Sequence, residues 1–172
     1  SITIGNFDGL HIGHIKLLKS TVALAKKNNT IPIVLTFSPM PEEYFQNEYF
    51  FKLMNNTEKS DSIKDYGIEE VISIPFNEEF SKMDEKKFID EVLVKKLNAK
   101  HIIVGNDFRF GHKRMGNVKL LESYGYGKGI EVTIVNLVEI SGKKISSTNI
   151  RKLLISGKIL EANSLLRKPF SI

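Results

Sequence analysis

The chain opens on Ser1-Ile2-Thr3-Ile4-Gly5-Asn6-Phe7-Asp8-Gly9-Leu10-His11-Ile12-Gly13-His14, and this stretch decides the fold. Ser1–Ile4 reads as a short buried strand, bounded by a glycine turn. Glycines at 5, 9 and 13 permit tight turning and let a ligand approach the backbone closely. From Gly13 to Asn28 the residues Ile15, Leu18, Val22 and Ala25 keep helical spacing, so one stripe faces a sheet. A strand, a glycine turn and an amphipathic helix are the opening of a βαβ unit. The free N–H groups at such a helix start form an anion site, and His11 and His14 stand beside it.

The same alternation runs outward along the chain. Strands are predicted over Ser1–Ile4, Ile31–Phe37, Glu70–Pro75, His101–Gly105 and Ile130–Val138. Each is nearly unbroken apolar sequence, the pattern of parallel strands covered on both faces. Helices are predicted over Gly13–Asn28, Thr57–Tyr66, Asp84–Leu97, Val118–Tyr124, Thr148–Ser156 and Leu160–Leu166. The expected fold class is therefore α/β, a Rossmann-like three-layer α/β/α arrangement around a mainly parallel sheet. Ligands of such sheets bind beyond the carboxyl ends of the strands, near the topological switch point. Ser38–Asn56, with two prolines and several aromatics, is expected to be an irregular flap or a small subdomain.

The 172 residues suffice for one domain, expected over 1–172, and 41% hydrophobic content argues against disorder. No apolar run approaches the roughly 20 residues needed to cross a bilayer. The N-terminus reads directly as a strand rather than a signal peptide. Cysteine is absent, which excludes disulfides, thiolate zinc and a cysteine nucleophile, and fits a reducing cytoplasm. A net charge of +5 suits a lysine-rich surface or anionic ligands, and composition alone does not choose between them.

Three loops carry unusual chemistry. In the first, His11 and His14 suit phosphate binding, a metal site, or structural histidines satisfied by backbone; a metal site lacks the His-Glu-x-x-His pattern. In the second, Lys143-Lys144-Ile145-Ser146-Ser147-Thr148-Asn149-Ile150-Arg151, Ser147 or Thr148 is the expected N-cap. Arg151 is then expected in the first turn, where the macrodipole favours acids; His14, when protonated, breaks the same rule. A polyanion held between two such helix starts would reverse the sign of both. The third loop runs Val104-Gly105-Asn106-Asp107-Phe108-Arg109-Phe110-Gly111-His112-Lys113-Arg114. Its phenylalanines serve either as core or as faces flanking a flat ring. An RNA platform lacks its RNP pattern and an extended basic stripe.

Taken together these loops resemble the bacterial FAD synthetases of the nucleotidylyltransferase superfamily. His11-Ile12-Gly13-His14 looks like the superfamily signature, and Gly5-Asn6-Phe7-Asp8-Gly9 is typical of the FAD synthetase form. Ile145–Arg151 resembles the family's second signature, and Val104–Gly111 its flavin-side motif. Leu35–Pro41 and Ile74–Phe76 match by position and type. The tail Arg167–Ile172 looks like the hinge into a riboflavin kinase module, which the resemblance implies as a C-terminal partner domain. Two positions depart from the pattern: Met40 stands where the family usually has histidine, and Lys144 where it often has arginine. Lysine keeps the charge and loses bidentate geometry.

The resemblance implies transfer of AMP from ATP to FMN, with Mg²⁺ bridging phosphate oxygens, and neither nucleic acid nor membrane as partner. It implies that His11 and His14 contact the ATP phosphates and that Ser147, Thr148 and Arg151 close over the departing pyrophosphate. Lys144 and Ser146 assist there, and Gly5, Asn6, Phe7 and Gly9 shape the ATP loop. Asp107, Phe108, Arg109 and Phe110 would serve the flavin. Asn6 and Asp107 are candidates for orienting phosphate and magnesium, while Asp8 serves the turn equally well. A related adenylyl- or cytidylyltransferase with another phosphorylated acceptor is the nearest alternative; a non-catalytic flavin- or nucleotide-binding module is the second.

Overall fold

The computed structural model describes every residue except 47–49, 137–138, 141–142, 168 and 171–172, and only the backbone of residues 139–140 and 143–144. Chain order runs β1 (Ile2–Ile4), α1 (Ile12–Asn28), β2 (Ile33–Ser38), α2 (Pro41–Tyr44), α3 (Asn56–Lys64), β3 (Glu70–Pro75) and α4 (Glu78–Ser81). It continues with α5 (Glu85–Lys87), a π-helical segment (Phe88–Lys96), β4 (His101–Gly105), β5 (Arg109–Phe110), a 3₁₀ turn (His112–Arg114) and β6 (Gly116–Asn117). The last elements are α6 (Val118–Tyr126), β7 (Glu131–Val135), β8 (Glu139–Ile140), β9 (Lys143–Lys144), α7 (Ser147–Ile155) and α8 (Ile159–Leu166).

Five strands form one parallel sheet in the order β3-β2-β1-β4-β7. The chain steps outward from β1 to β3, then crosses back to β4, so the topological switch lies between β1 and β4. Alternation along the strands splits the core in two. Ile2, Ile4, Leu35, Ile102 and Val104 pack with Phe88, Val92, Leu93 and Leu121 of the π-helical segment and α6. Val34 faces the opposite way and packs with Leu18, Ile63 and the loop residues Phe7 and Leu10, under α1 and α3. The expected α/β class with helices on both faces is what the chain adopts. A third cluster joins Leu53 to Ile150, Ala162 and Leu166, so α7 and α8 lie against the end of the 38–56 stretch.

Several local expectations are corrected. The buried stripe of α1 is Ile15, Leu18, Thr21 and Ala25; Thr21 replaces Val22 because its hydroxyl donates to the Leu17 carbonyl at 2.8 Å and needs no water. The helix expected over 84–97 is broken: three residues of α5 give way to a π-helical segment, where the Leu97 N–H reaches the Val92 carbonyl at 3.0 Å. Residues 38–56 are not irregular throughout. They contain α2, and Leu53 and Met54 are buried. The strand expected to reach Val138 stops at Val135, and residues 137–138 lie outside the described ones. No helix among the described residues is long and apolar enough to cross a membrane.

Candidate active site

The first loop leaves β1 at the switch point and turns into α1. Three of its residues take left-handed backbone: Phe7 (φ 52°), Gly9 (φ 77°) and Leu10 (φ 43°). Such conformations are costly for bulky side chains and persist where surrounding structure over-determines them. Here burial does so, because Phe7 and Leu10 are both core residues. A Cβ on Gly9 would meet Leu166 Cδ2 and Leu53 Cδ1 at 2.8 Å. Gly9→Ala is therefore expected to destabilise by about 1–3 kcal/mol, combining strain at positive φ with overpacking. Gly13→Ala, whose Cβ meets the His11 ring at 3.1 Å, should cost less; urea midpoints of the two variants check the order.

His11 caps α1: its Nδ1 accepts from the His14 N–H at 3.3 Å, so a neutral ring carries its proton on Nε2. The His14 ring stacks on His11, centroids 3.7 Å apart and tilted by 15°, and leans on Phe7 at 5.1 Å. Burial, and then the neighbouring His11 and Lys59, hold the His14 imidazole well below its ordinary pKa. His14 is thus neutral at neutral pH, which removes the conflict with the helix dipole. Its Nδ1 is buried and has no hydrogen-bond partner among the described residues.

The second loop meets the first at Asp8. The N-cap of α7 is Ser146, whose side chain accepts from the Asn149 N–H at 3.2 Å, rather than the expected Ser147 or Thr148. Ser147 instead donates to the Asp8 carbonyl at 2.9 Å, while Thr148 is exposed. Arg151 consequently falls in the second turn, where the dipole acts weakly, and it is buried. Its guanidinium binds the Asp8 carboxylate through Nη2 and the Phe51 carbonyl through Nε at 2.7 Å, and lies 4.6 Å from the Phe50 ring centre. Asp8 also accepts from the Leu53 and Met54 N–H groups at 3.0 and 3.2 Å. Burial pushes the Asp8 carboxyl up, whereas these amides and Arg151 pull it back. Its hydrogen-bond and ion-pair partners among the described residues are all donors, as the carboxylate form requires. One aspartate of the first loop thus holds the start of α7 and the chain leading into α3. The side chain of Lys144 lies outside the described residues.

Sequence reasoning missed Lys59. It is 4% exposed on α3, and its Nζ donates to the Asn6 carbonyl at 3.2 Å and Thr36 Oγ1 at 3.5 Å. The available signal was its place four residues before Ile63, on the buried face of an otherwise polar helix. Asn6 in turn donates from Nδ2 to Glu42 Oε2 at 2.7 Å. Met40 is buried and contributes its backbone N–H to Glu43 at 3.3 Å, so a polar contact there comes from the main chain.

Glu42 borders a cavity of about 320 Å³ whose wall is aromatic: Phe37, Phe76, Phe80, Phe88, Phe108 and Phe110. Phe108 and Phe110 stack at 5.5 Å, and Phe80 meets Phe88 edge-on at 6.0 Å. Phe110 belongs to the core and also lines the cavity. Arg109, Lys113 and Arg114 also border it. Asp107 is exposed and does not line it. Gly111 (φ 73°) closes the turn beside α5, where a Cβ would lie 2.8 Å from that of Glu85. A large apolar slot with few polar groups suits a flat ring system. Among the described residues no three His, Asp or Glu side chains gather to hold a metal ion, so the paired imidazoles lack a third ligand.

The sequence profile of the FAD synthetase family matches residues 1–149. The chain belongs to that family. Among FAD synthetase relatives, a bifunctional riboflavin kinase/FMN adenylyltransferase of Buchnera aphidicola subsp. Schizaphis graminum is 44% identical over all of this chain and 56% of its own length. The Escherichia coli K12 protein of the same name is 36% identical over 99% of this chain and 55% of its own. The chain thus spans about half the length of the curated relatives it matches. Among solved structures, one described as a macrolide-efflux protein from Streptococcus pneumoniae superposes with a TM-score of 0.87 at 32% identity, covering 99% of this chain and 65% of that one. Pantothenate synthetase from Thermus thermophilus, at 16% identity and a TM-score of 0.57 over 96% of this chain and 74% of its own, shares the fold.

Proposed function

We propose that residues 1–172 transfer AMP from ATP to FMN, forming FAD and pyrophosphate. The observation that supports this best is the aromatic cavity joined, through Glu42 and Asn6, to the His11–His14 loop. One site suits a flavin ring and the other a polyphosphate, and a hydrogen bond of 2.7 Å connects their walls. The relatives' names supply the acceptor. An FMN phosphate oxygen attacks the α-phosphorus of ATP; the bond to the β-phosphate oxygen breaks and pyrophosphate leaves. The attacking phosphate is already ionised, so no general base is needed, and catalysis rests on positioning and charge stabilisation. His11 and His14 present imidazole N–H donors to the triphosphate, His14 in its neutral form. Ser147 and Thr148 open α7 beside it, with Lys144 and Ser146 adjoining. Arg151 acts from behind, through Asp8. Mg²⁺ would enter with ATP and supply charge neutralisation at the phosphates, with Asn6 and Asp107 as the residues that would orient it. We assign phosphorylation of riboflavin to the part of the relatives that this chain does not span.

Incubation with ATP, Mg²⁺ and FMN followed by chromatography is expected to yield FAD; ATP consumption only with another phosphorylated acceptor would move the assignment to that acceptor. Phe108→Ala is expected to weaken FMN binding about tenfold, the value of one aromatic stacking contact. Flavin fluorescence quenching measures it, and an unchanged affinity places the ring elsewhere.

A further inference from the structure

Among the described residues, no carboxylate is hydrogen-bonded to the buried Lys59. Among the described residues, the nearby acids are committed elsewhere: Asp8 to Arg151, and Glu43 to Lys52 at 3.0 Å. The charged and titratable groups acting on Lys59 are Asp8, Glu43 and Lys52, and it acts in turn on His14. Burial of an ammonium against a carbonyl and a hydroxyl alone is costly, and a fold built only for stability would place an apolar side chain there. Thr36 Oγ1 also donates to the Asn6 carbonyl at 3.4 Å, so two donors converge on one peptide oxygen of the first loop. The side chain of that same residue reaches Glu42 at the cavity wall.

Resting on the adenylyltransferase reading, we propose that Lys59 is a positioning residue of the transfer site: it fixes Asn6 between the phosphate loop and the flavin cavity, and sets an ammonium group against the loop that takes the triphosphate. The incoming polyanion supplies the countercharge that the fold withholds. Lys59 therefore acts on ATP through the loop and its field, without touching the substrate.

Lys59→Met is expected to raise KM for MgATP about tenfold or more, as loss of one nearby buried charge requires, with a smaller fall in kcat. The chain has no cysteine, so Lys59→Cys introduces a single thiol. Alkylating it in denaturant with 2-bromoethylamine and refolding restores an ammonium at the same reach, and is expected to recover ATP affinity; alkylation with a neutral reagent is not. Unchanged KM in Lys59→Met, or equal recovery with both reagents, overturns the proposal. Should the variants fail to fold, the ¹⁵Nζ resonance of Lys59 in the unaltered protein decides: it shifts on adding MgATP, and a static signal overturns the idea. If the parent makes no FAD, the adenylyltransferase reading falls by itself. Calorimetric MgATP affinity of parent and Lys59→Met then still tests the role of Lys59.

Discussion

His14→Ala is expected to lower kcat for the proposed FAD formation by about 10²–10³-fold, the usual cost of one preorganised donor facing a developing oxyanion, with a smaller change in KM. Stacking on His11 at 3.7 Å and contact with Phe7 fix the ring, so no reorganisation is needed as charge builds on the triphosphate. The ring is neutral and offers one N–H. Because protonation is disfavoured, turnover should not titrate with His14 near neutrality. Stability should. The folded pKa lies below the unfolded value near 6.5, so the unfolded chain binds the proton more readily. The stability tied to this group is complete above about pH 6.5 and declines as the pH falls below it. The facing groups, His11 and Lys59, both add to that direction. Urea unfolding at pH 7 and pH 5 is therefore expected to show a steeper loss in the parent than in His14→Gln. Parallel losses, or near-parental kcat in a folded His14→Ala, remove the histidine from this role.

What the sequence discloses about this site depends on distance along the chain. β3 and β4 end where their apolar runs end, since burial in a parallel sheet is written locally. The residues behind the proposed anion site are likewise local: glycines and two imidazoles within ten residues. The aromatic cavity is not: its wall draws on β2, the residues after β3, the π-helical segment and the turn after β4. Phe108 and Phe110 were visible as aromatics beside bases, yet nothing near them announces Phe37 or Phe80 opposite. Lys59 lies 53 residues from the carbonyl it holds, and Asp8 lies 143 from the guanidinium that binds it. Arg151 shows the consequence. Read locally, a cation near a helix start asks for an external anion; in the fold, that anion is Asp8.

That difference changes what Arg151→Ala should do. If the guanidinium merely opposed the dipole and waited for phosphate, its removal would abolish activity and leave stability within a few tenths of a kcal/mol. The structure instead gives it a buried carboxylate, a backbone carbonyl and an aromatic face. Removing one member of a buried pair leaves the other uncompensated, so Arg151→Ala is expected to cost about 3–5 kcal/mol. Asp8→Ala should cost at least as much, because the N–H groups of Leu53 and Met54 lose their acceptor as well. Losing both charges together is less severe than the two single losses summed, since no lone charge stays buried; Asp8→Asn with Arg151→Met should therefore show a coupling of about 1–3 kcal/mol in a double-mutant cycle by urea unfolding. Activity should fall in each single variant through displacement of Ser147, whose hydroxyl depends on the Asp8 carbonyl. A folded Arg151→Ala with parental urea midpoint and no turnover would instead show that the guanidinium leaves Asp8 for the substrate, and that the ion pair is a resting position rather than the joint between the two loops.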